Sequence, residues 1–157
     1  MEQSAIANQK LQGGCFCGRV QYRVQLPVKW CAHCHCEICR KTQSAPFVTW
    51  FGVEKINFEV LRGEADIAWF DSSQNAQRGH CIHCGTPLFF VGKNWPDEVH
   101  ITRESANADI KQVPQIHVFY DRHVSYFQVD DQLDKFGGHN GFVPLAINPK
   151  TAKESNE

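Results

Sequence analysis

Seven of the eight cysteines in this chain lie in three short clusters, a pattern typical of metal binding. Zinc takes four ligands in a tetrahedron and is commonly held by pairs of cysteines two to four residues apart. The chain has enough thiols for one closed site of four ligands and for a second site of three ligands with an open position, as in catalytic zinc sites. The clusters are Cys15 and Cys17; Cys34, Cys36 and Cys39; and Cys81 and Cys84.

Spacing alone does not decide which clusters share an ion. The simplest division places the two pairs, Cys15 with Cys17 and Cys81 with Cys84, on one structural zinc. A cross-link between distant segments stabilises a small domain most, because it closes a long loop. The remaining cluster, called the triplet below, is local and would cross-link little, so it suits a reactive centre that binds a second zinc.

Several side chains beside the triplet have more than one possible role. Arg40 and Lys41 can offset the charge of three thiolates or bind a substrate carboxylate; Arg40 is the candidate ligand-binding residue and Lys41 is expected to be exposed. His33 and His35 can shuttle a proton or act as a fourth zinc ligand, against the simpler expectation of an exposed or core histidine. Cys31 can be a buried thiol, a replacement ligand or a disulfide partner.

Composition restricts the class of protein. A chain of 157 residues with 42% apolar residues predicts one domain with an ordinary core. The net charge of −1 argues against a nucleic-acid partner, and no apolar run is long enough to span a membrane. The first residues do not resemble a secretory signal, which predicts a cytoplasmic protein whose cysteines bind metal rather than form disulfides. We expect a disordered tail over residues 1–11, a domain over 12–136, and a C-terminal loop and tail over 137–157.

Alternating apolar residues predict short β-strands that must position these clusters. Val20, Tyr22, Val24 and Leu26 form the clearest example, and similar patterns with turn residues between them recur along the chain. The pattern predicts an all-β sandwich or a barrel-like pair of sheets. We also expect one helical turn over residues 37–41, a loop over 94–96 and a short helix over 105–110.

Four segments together resemble the glutathione-dependent formaldehyde-activating enzyme family, also called the centromere protein V type. The resemblance covers roughly residues 12–130. It implies an all-β, tent-like fold of stacked antiparallel sheets around a structural zinc held by the two cysteine pairs. The segments are Gly14-Cys15-x-Cys17-Gly18-x-Val20-x-Tyr22, Cys34-His35-Cys36-x-x-Cys39-Arg40, Cys81-x-x-Cys84-Gly85-Thr86-x-Leu88 and Pro114-x-x-His117-Val118-Phe119.

The resemblance also implies a reaction. Cys34, Cys36 and Cys39 would hold a catalytic zinc whose fourth position admits the thiolate of glutathione. The protein would then be a carbon–sulfur lyase that adds glutathione to formaldehyde and yields S-hydroxymethylglutathione. We therefore expect a small thiol such as glutathione and an aldehyde as partners.

Two other functions fit the same cysteines. A non-catalytic zinc module is one, because the sequence offers no clear general base: no carboxylate except Glu37 is clearly placed near the triplet. A thiol redox or metal sensor is the other, with reversible zinc release under mild peroxide. Exposed strand edges make a homodimer plausible in either case.

Overall fold

The computed structural model describes residues 9–147, which contain twelve β-strands and one short α-helix. The helix, α1, spans Glu37–Gln43, and short 3-10 turns connect several strands. The expected all-β fold is confirmed. The strands are β1 (Lys10–Gly14), β2 (Gln21–Gln25), β3 (Trp30–Cys34), β4 (Val48–Glu54), β5 (Phe58–Arg62), β6 (Ile67–Ser73), β7 (Ala76–Cys81), β8 (Pro87–Gly92), β9 (Trp95–Thr102), β10 (Ile116–Val118), β11 (Asp134–Gly137) and β12 (Val143–Pro144).

The described residues form two compact units. The first unit comprises residues 9–30 and 50–113, and the second comprises residues 31–49 and 114–147. Of the predicted tails over residues 1–11 and 137–157, residues 1–8 and 148–157 lie outside the described residues. Strand β1 begins at Lys10, so regular structure starts inside the segment that we expected to be an N-terminal tail.

The first unit contains two stacked sheets. Strands β1, β2 and β5 form an antiparallel sheet, and β4, β9, β8, β7 and β6 are consecutive neighbours in an antiparallel run. Aromatic rings join the layers: the ring centroid of Phe89 on β8 lies 5.5 Å from that of Tyr22 and 5.2 Å from that of Phe58. The buried Tyr22 hydroxyl shares a hydrogen bond with Ser105 Oγ at 2.8 Å, so the hydroxyl has a polar partner in the core.

The second unit contains the strand order β3, β10, β11 and β12, with α1 following β3. Strand β10 runs parallel to both β3 and β11, whereas β11 and β12 are antiparallel. The register places His117 directly beside His33 on one side and beside Lys135 on the other. Paired residues on neighbouring strands point to the same face of a sheet, so these three side chains form one row.

The strand pattern around β2 is confirmed, because Val20, Tyr22 and Val24 are fully buried. Two local expectations were wrong. Trp95 and Pro96 belong to β9 rather than to a loop. Residues 105–110 form no α-helix: Ser105 ends a 3-10 turn (Arg103–Ser105), Ala106 makes a β-bridge with Gly13, and the Asn107 N–H donates to the Gln12 carbonyl.

Candidate functional site

The two cysteine pairs meet at the ends of two hairpins in the first unit. Cys15 and Cys17 follow β1, Cys81 ends β7, and Cys84 precedes β8. The four sulfur atoms all lie within 4.8 Å of one another, with 3.5 Å from Cys15 to Cys17 and 3.8 Å from Cys17 to Cys81. Sulfurs of a tetrahedral zinc site with bonds of about 2.3 Å lie about 3.8 Å apart, so the arrangement fits one zinc ion.

Two glycine turns and one threonine hold these pairs in place. Gly18 and Gly85 follow the pairs with φ angles of 75° and 73°, a left-handed conformation that glycine adopts without strain. Thr86 Oγ1 accepts a hydrogen bond from the Phe16 N–H at 3.0 Å and lies 3.1 Å from Cys84 Sγ. Thr86 therefore links the C-x-C turn to the C-x-x-C turn.

The thiols of this group differ in acidity. Four thiolates this close together would repel one another, so they cannot all ionise without a cation. Burial raises the pKa of Cys84, but hydrogen bonds from the Thr86 side chain and backbone outweigh it and lower the pKa to about 5. A backbone hydrogen bond from Arg19 lowers the pKa of Cys17, but desolvation and the neighbouring thiols outweigh it and raise the pKa to about 11. A divalent cation offsets this repulsion, so the donor set fits zinc.

The triplet lies in the second unit, where β3 turns into α1. Cys34 ends β3, Cys36 is the N-cap of α1, and Cys39 lies in the first turn of the helix. Cys36 Sγ accepts a hydrogen bond from the Cys39 N–H at 3.3 Å. The three cysteines span six residues, and this strand-to-helix turn brings their sulfurs within 4.8 Å of one another.

The triplet also fits a cation, and it has an accessible side. Contacts with the thiols of Cys36 and Cys39, followed by burial, raise the pKa of Cys34 well above its usual value. Positive charge is therefore needed before all three can ionise. Cys34 and Cys39 are buried but Cys36 is half-buried, so solvent reaches the group at Cys36. Within residues 9–147, no histidine or carboxylate joins the three thiols at the same mutual distance.

His35 lies in the core rather than on the metal group. It is 1% exposed, and its Nε2 is 2.8 Å from Nδ1 of His117. Burial, followed by the neighbouring charge of His117, lowers the pKa of His35 to about 3, so the ring is neutral near pH 7. Arg40 donates from Nε to the His35 carbonyl at 3.0 Å, which places the Arg40 side chain beside the triplet loop.

The hydrogen-bonded chain continues from His117 to a residue that the sequence did not single out. His117 Nε2 lies 2.8 Å from Asp131 Oδ2, and His33 Nδ1 lies 2.8 Å from the Thr49 hydroxyl. Burial lowers the pKa of His117, although its bond to Asp131 opposes that effect. Asp131 lies in an irregular loop with no apolar pattern, so no feature of the sequence placed it beside His117.

Cys31 and His83 belong to neither group of cysteine ligands. Cys31 is fully buried in β3. His83 lies on the surface and its Nε2 is 2.7 Å from Asp66 Oδ1. Among the described residues, no helix has both the length and the apolar composition needed to cross a membrane.

The family model described as glutathione-dependent formaldehyde-activating enzyme matches residues 10–122, which include both cysteine groups. The chain belongs to this family. Membership in the formaldehyde-activating enzyme family supports a formaldehyde-activating or lyase-type function.

Two curated relatives and one solved structure are similar to this family member. A Halomonas elongata protein named "Putative glutathione-dependent formaldehyde-activating enzyme" is 25% identical over 138 residues, which cover 78% of this chain and 82% of that protein. An uncharacterized lyase of Schizosaccharomyces pombe is 33% identical over 86 residues, which cover 53% of this chain and 61% of the lyase. A crystal structure of a Rhodobacter sphaeroides protein shares the fold, with a TM-score of 0.56, 20% identity, and coverage of 66% of this chain and 97% of that one.

Proposed function

We propose that the protein is a zinc-dependent carbon–sulfur lyase that adds a thiol, glutathione or a close analogue, to formaldehyde or a related aldehyde. The observation that carries the proposal is the triplet: three thiols within 4.8 Å of one another, with no fourth protein ligand at that distance in the described residues. Three protein ligands and one open position are typical of catalytic zinc sites. The family to which the chain belongs supports the same chemistry.

The division of labour follows from the positions of the two cysteine groups. Cys15, Cys17, Cys81 and Cys84 would hold a structural zinc that cross-links two hairpins of the first unit. Such a site contributes its binding energy to folding. Cys34, Cys36 and Cys39 would hold the second zinc, which supplies positive charge that keeps a substrate thiol ionised near neutral pH.

The reaction balances without another reactant. The sulfur of the thiolate attacks the carbonyl carbon, a carbon–sulfur bond forms, and the π electrons of the carbonyl move to its oxygen. That oxygen takes up the proton that the thiol released, and the product is an S-hydroxymethyl thioether, a hemithioacetal. The half-buried Cys36 leaves the side of approach open to solvent.

Arg40 is the proposed contact for a substrate carboxylate. Its Nε is held by the His35 carbonyl at 3.0 Å, so the guanidinium is positioned beside the triplet loop. A guanidinium binds a carboxylate through two parallel hydrogen bonds, which suits an anionic thiol such as glutathione. Lys41, on the exposed surface of α1, is not part of this proposal.

Adduct exchange measured by NMR tests the function. The rate constant of exchange between free and hydroxymethylated glutathione is compared with and without protein, because the uncatalysed reaction is the baseline. We expect acceleration that saturates with glutathione and is lost after a strong chelator removes the zinc. An exchange rate equal to the uncatalysed one, with zinc bound, would contradict the proposal and favour a non-catalytic zinc module. Zinc release under mild peroxide in the same sample would favour a redox sensor.

Location and oligomeric state complete the proposal. Seven cysteines gathered in two groups of metal-ligand type suit the reducing conditions of the cytoplasm. A homodimer formed through an exposed strand edge remains a prediction that gel filtration can check.

A further inference from the structure

The second unit contains a third cluster of metal-ligand types, made of His33, His117 and Asp131. One ring nitrogen of each histidine and one carboxylate oxygen all lie within 4.8 Å of one another. The two histidines are direct partners in the parallel pairing of β3 with β10, and Asp131 precedes β11, the next strand. We propose that these three side chains form a third metal site, for a divalent transition-metal ion, separate from both cysteine groups.

The donor set selects the class of ion. Imidazole nitrogens suit zinc, iron, cobalt and nickel, and one carboxylate with two histidines leaves open positions for water or a ligand. The cysteine groups offer only soft sulfur donors, so the two kinds of site differ in chemistry. The inference therefore does not depend on the reaction proposed for the triplet.

The surroundings of the cluster resemble the outer shell of a metal site. Histidines that bind a metal through one nitrogen usually donate the other N–H to a polar neighbour, which fixes the ring. His33 Nδ1 lies 2.8 Å from Thr49 Oγ1, and His117 Nδ1 lies 2.8 Å from His35 Nε2. The Leu133 N–H donates to Asp131 Oδ1 at 3.1 Å, which leaves Oδ2 beside His117.

One measured distance suits two ligands of one ion. His117 Nε2 and Asp131 Oδ2 are 2.8 Å apart, close to the roughly 3 Å between neighbouring ligands about 2.1 Å from one metal in octahedral geometry. His117 is fully buried and the Asp131 side chain is 34% exposed, so the ion would enter past the carboxylate.

One neighbouring charge opposes the ion. Lys135 Nζ lies 3.4 Å from Asp131 Oδ1, and the Lys135 side chain is only 8% exposed. An ammonium group beside a metal ligand weakens cation binding through repulsion. Loss of this charge should therefore strengthen metal binding, an effect that a purely structural ion pair would not produce.

Cobalt binding to the full chain, with zinc already on its cysteines, tests the site. The number of Co²⁺ ions bound per chain and their Kd are measured by equilibrium dialysis in reducing buffer, together with the visible spectrum. We expect one additional saturable ion whose spectrum lacks the intense charge-transfer band of cobalt–thiolate bonds. Absence of a saturable ion, or a thiolate band that accounts for all bound cobalt, would overturn the proposal.

Matched variants assign the ligands. Asp131→Asn keeps an oxygen acceptor for His117 but loses the charge, and we expect Kd to rise at least tenfold. Asp130→Asn, at the adjacent exposed position, should leave Kd unchanged, and Lys135→Met should lower it. His33→Gln provides a second ligand change if Asp131→Asn does not fold, and it should also weaken binding. Cobalt binding that is the same in wild type, Asp131→Asn and His33→Gln would overturn the assignment.

Discussion

The buried rings of His35 and His117 share a hydrogen bond, with 2.8 Å between His35 Nε2 and His117 Nδ1. The rings are 1% and 0% exposed, so water does not replace either partner. His35 lies in the triplet loop and His117 lies on β10. The bond therefore anchors the loop that carries the triplet to the sheet of the second unit.

Replacing His35 tests whether it supports the fold or binds metal. We expect His35→Leu to lower the free energy of unfolding by about 1–3 kcal/mol, because it leaves His117 Nδ1 buried without this partner. His35→Gln can place an amide near the lost Nε2 and should recover part of the stability. Urea denaturation measures both variants. Both should keep the zinc content of wild type, so loss of one zinc from folded His35→Leu would show that His35 is a ligand.

Thr86→Val tests the link between the two cysteine turns. The variant removes the acceptor for the Phe16 N–H and the hydroxyl beside Cys84. We expect the free energy of unfolding to fall by about 1–2 kcal/mol and the pKa of Cys84 to rise. Thermal or urea unfolding measures the first effect. Thr42→Val, on the exposed surface of α1, is the control: its hydroxyl donates only to carbonyls of its own helix, a contact that adds little stability, so the change should be less than about 0.5 kcal/mol. Equal losses in the two variants would contradict a linking role for Thr86.

Arg40→Gln tests the contact with the substrate carboxylate. Because that contact is made in both the ground state and the transition state, its loss should raise KM for glutathione about tenfold and leave kcat nearly unchanged. Lys41→Gln, one residue away and exposed, should leave both constants unchanged. Steady-state rates at varied glutathione measure these constants. A fall in kcat at constant KM, or equal effects at the two positions, would exclude the proposed contact.

His100 should make the stability of the first unit depend on pH. Burial lowers its pKa from 6.5 to about 4, although the hydrogen bond to Glu98 opposes the shift. Between these two values the unfolded chain binds the proton and the folded chain does not, so stability is lost as the pH falls from about 6.5 to 4. His100→Gln can still donate to Glu98 but cannot titrate.

The measurement for His100 is the free energy of unfolding at pH 7 and at pH 5. We expect His100→Gln to lose less stability than wild type between these two values. His139→Gln, at an exposed position, should lose as much as wild type. The same loss in all three proteins would show that another group governs the pH dependence.

The sequence predicted the parts of the site that depend on local spacing. The alternation around Tyr22 predicted β2. The close spacing of Cys34, Cys36 and Cys39 indicated one local group, but spacing alone did not decide which clusters share an ion. Strand β3 was not predicted, because its residues are dominated by metal-ligand types rather than by an apolar alternation. Asp131 was missed because its contact with His117 depends on how distant strands pair, which a single sequence does not encode locally.

Comparing Cys36→Ser with Cys84→Ser distinguishes the two cysteine groups most directly, with the unfolding temperature and the rate of adduct exchange measured on the same preparation of each. We expect Cys36→Ser to stay folded and to exchange at the uncatalysed rate, because it changes only the reactive group. We expect Cys84→Ser to lose its cooperative unfolding transition, because structural zinc binding contributes directly to folding. Two folded variants of equal activity, or two unfolded ones, would contradict the division into a structural site and a reactive one.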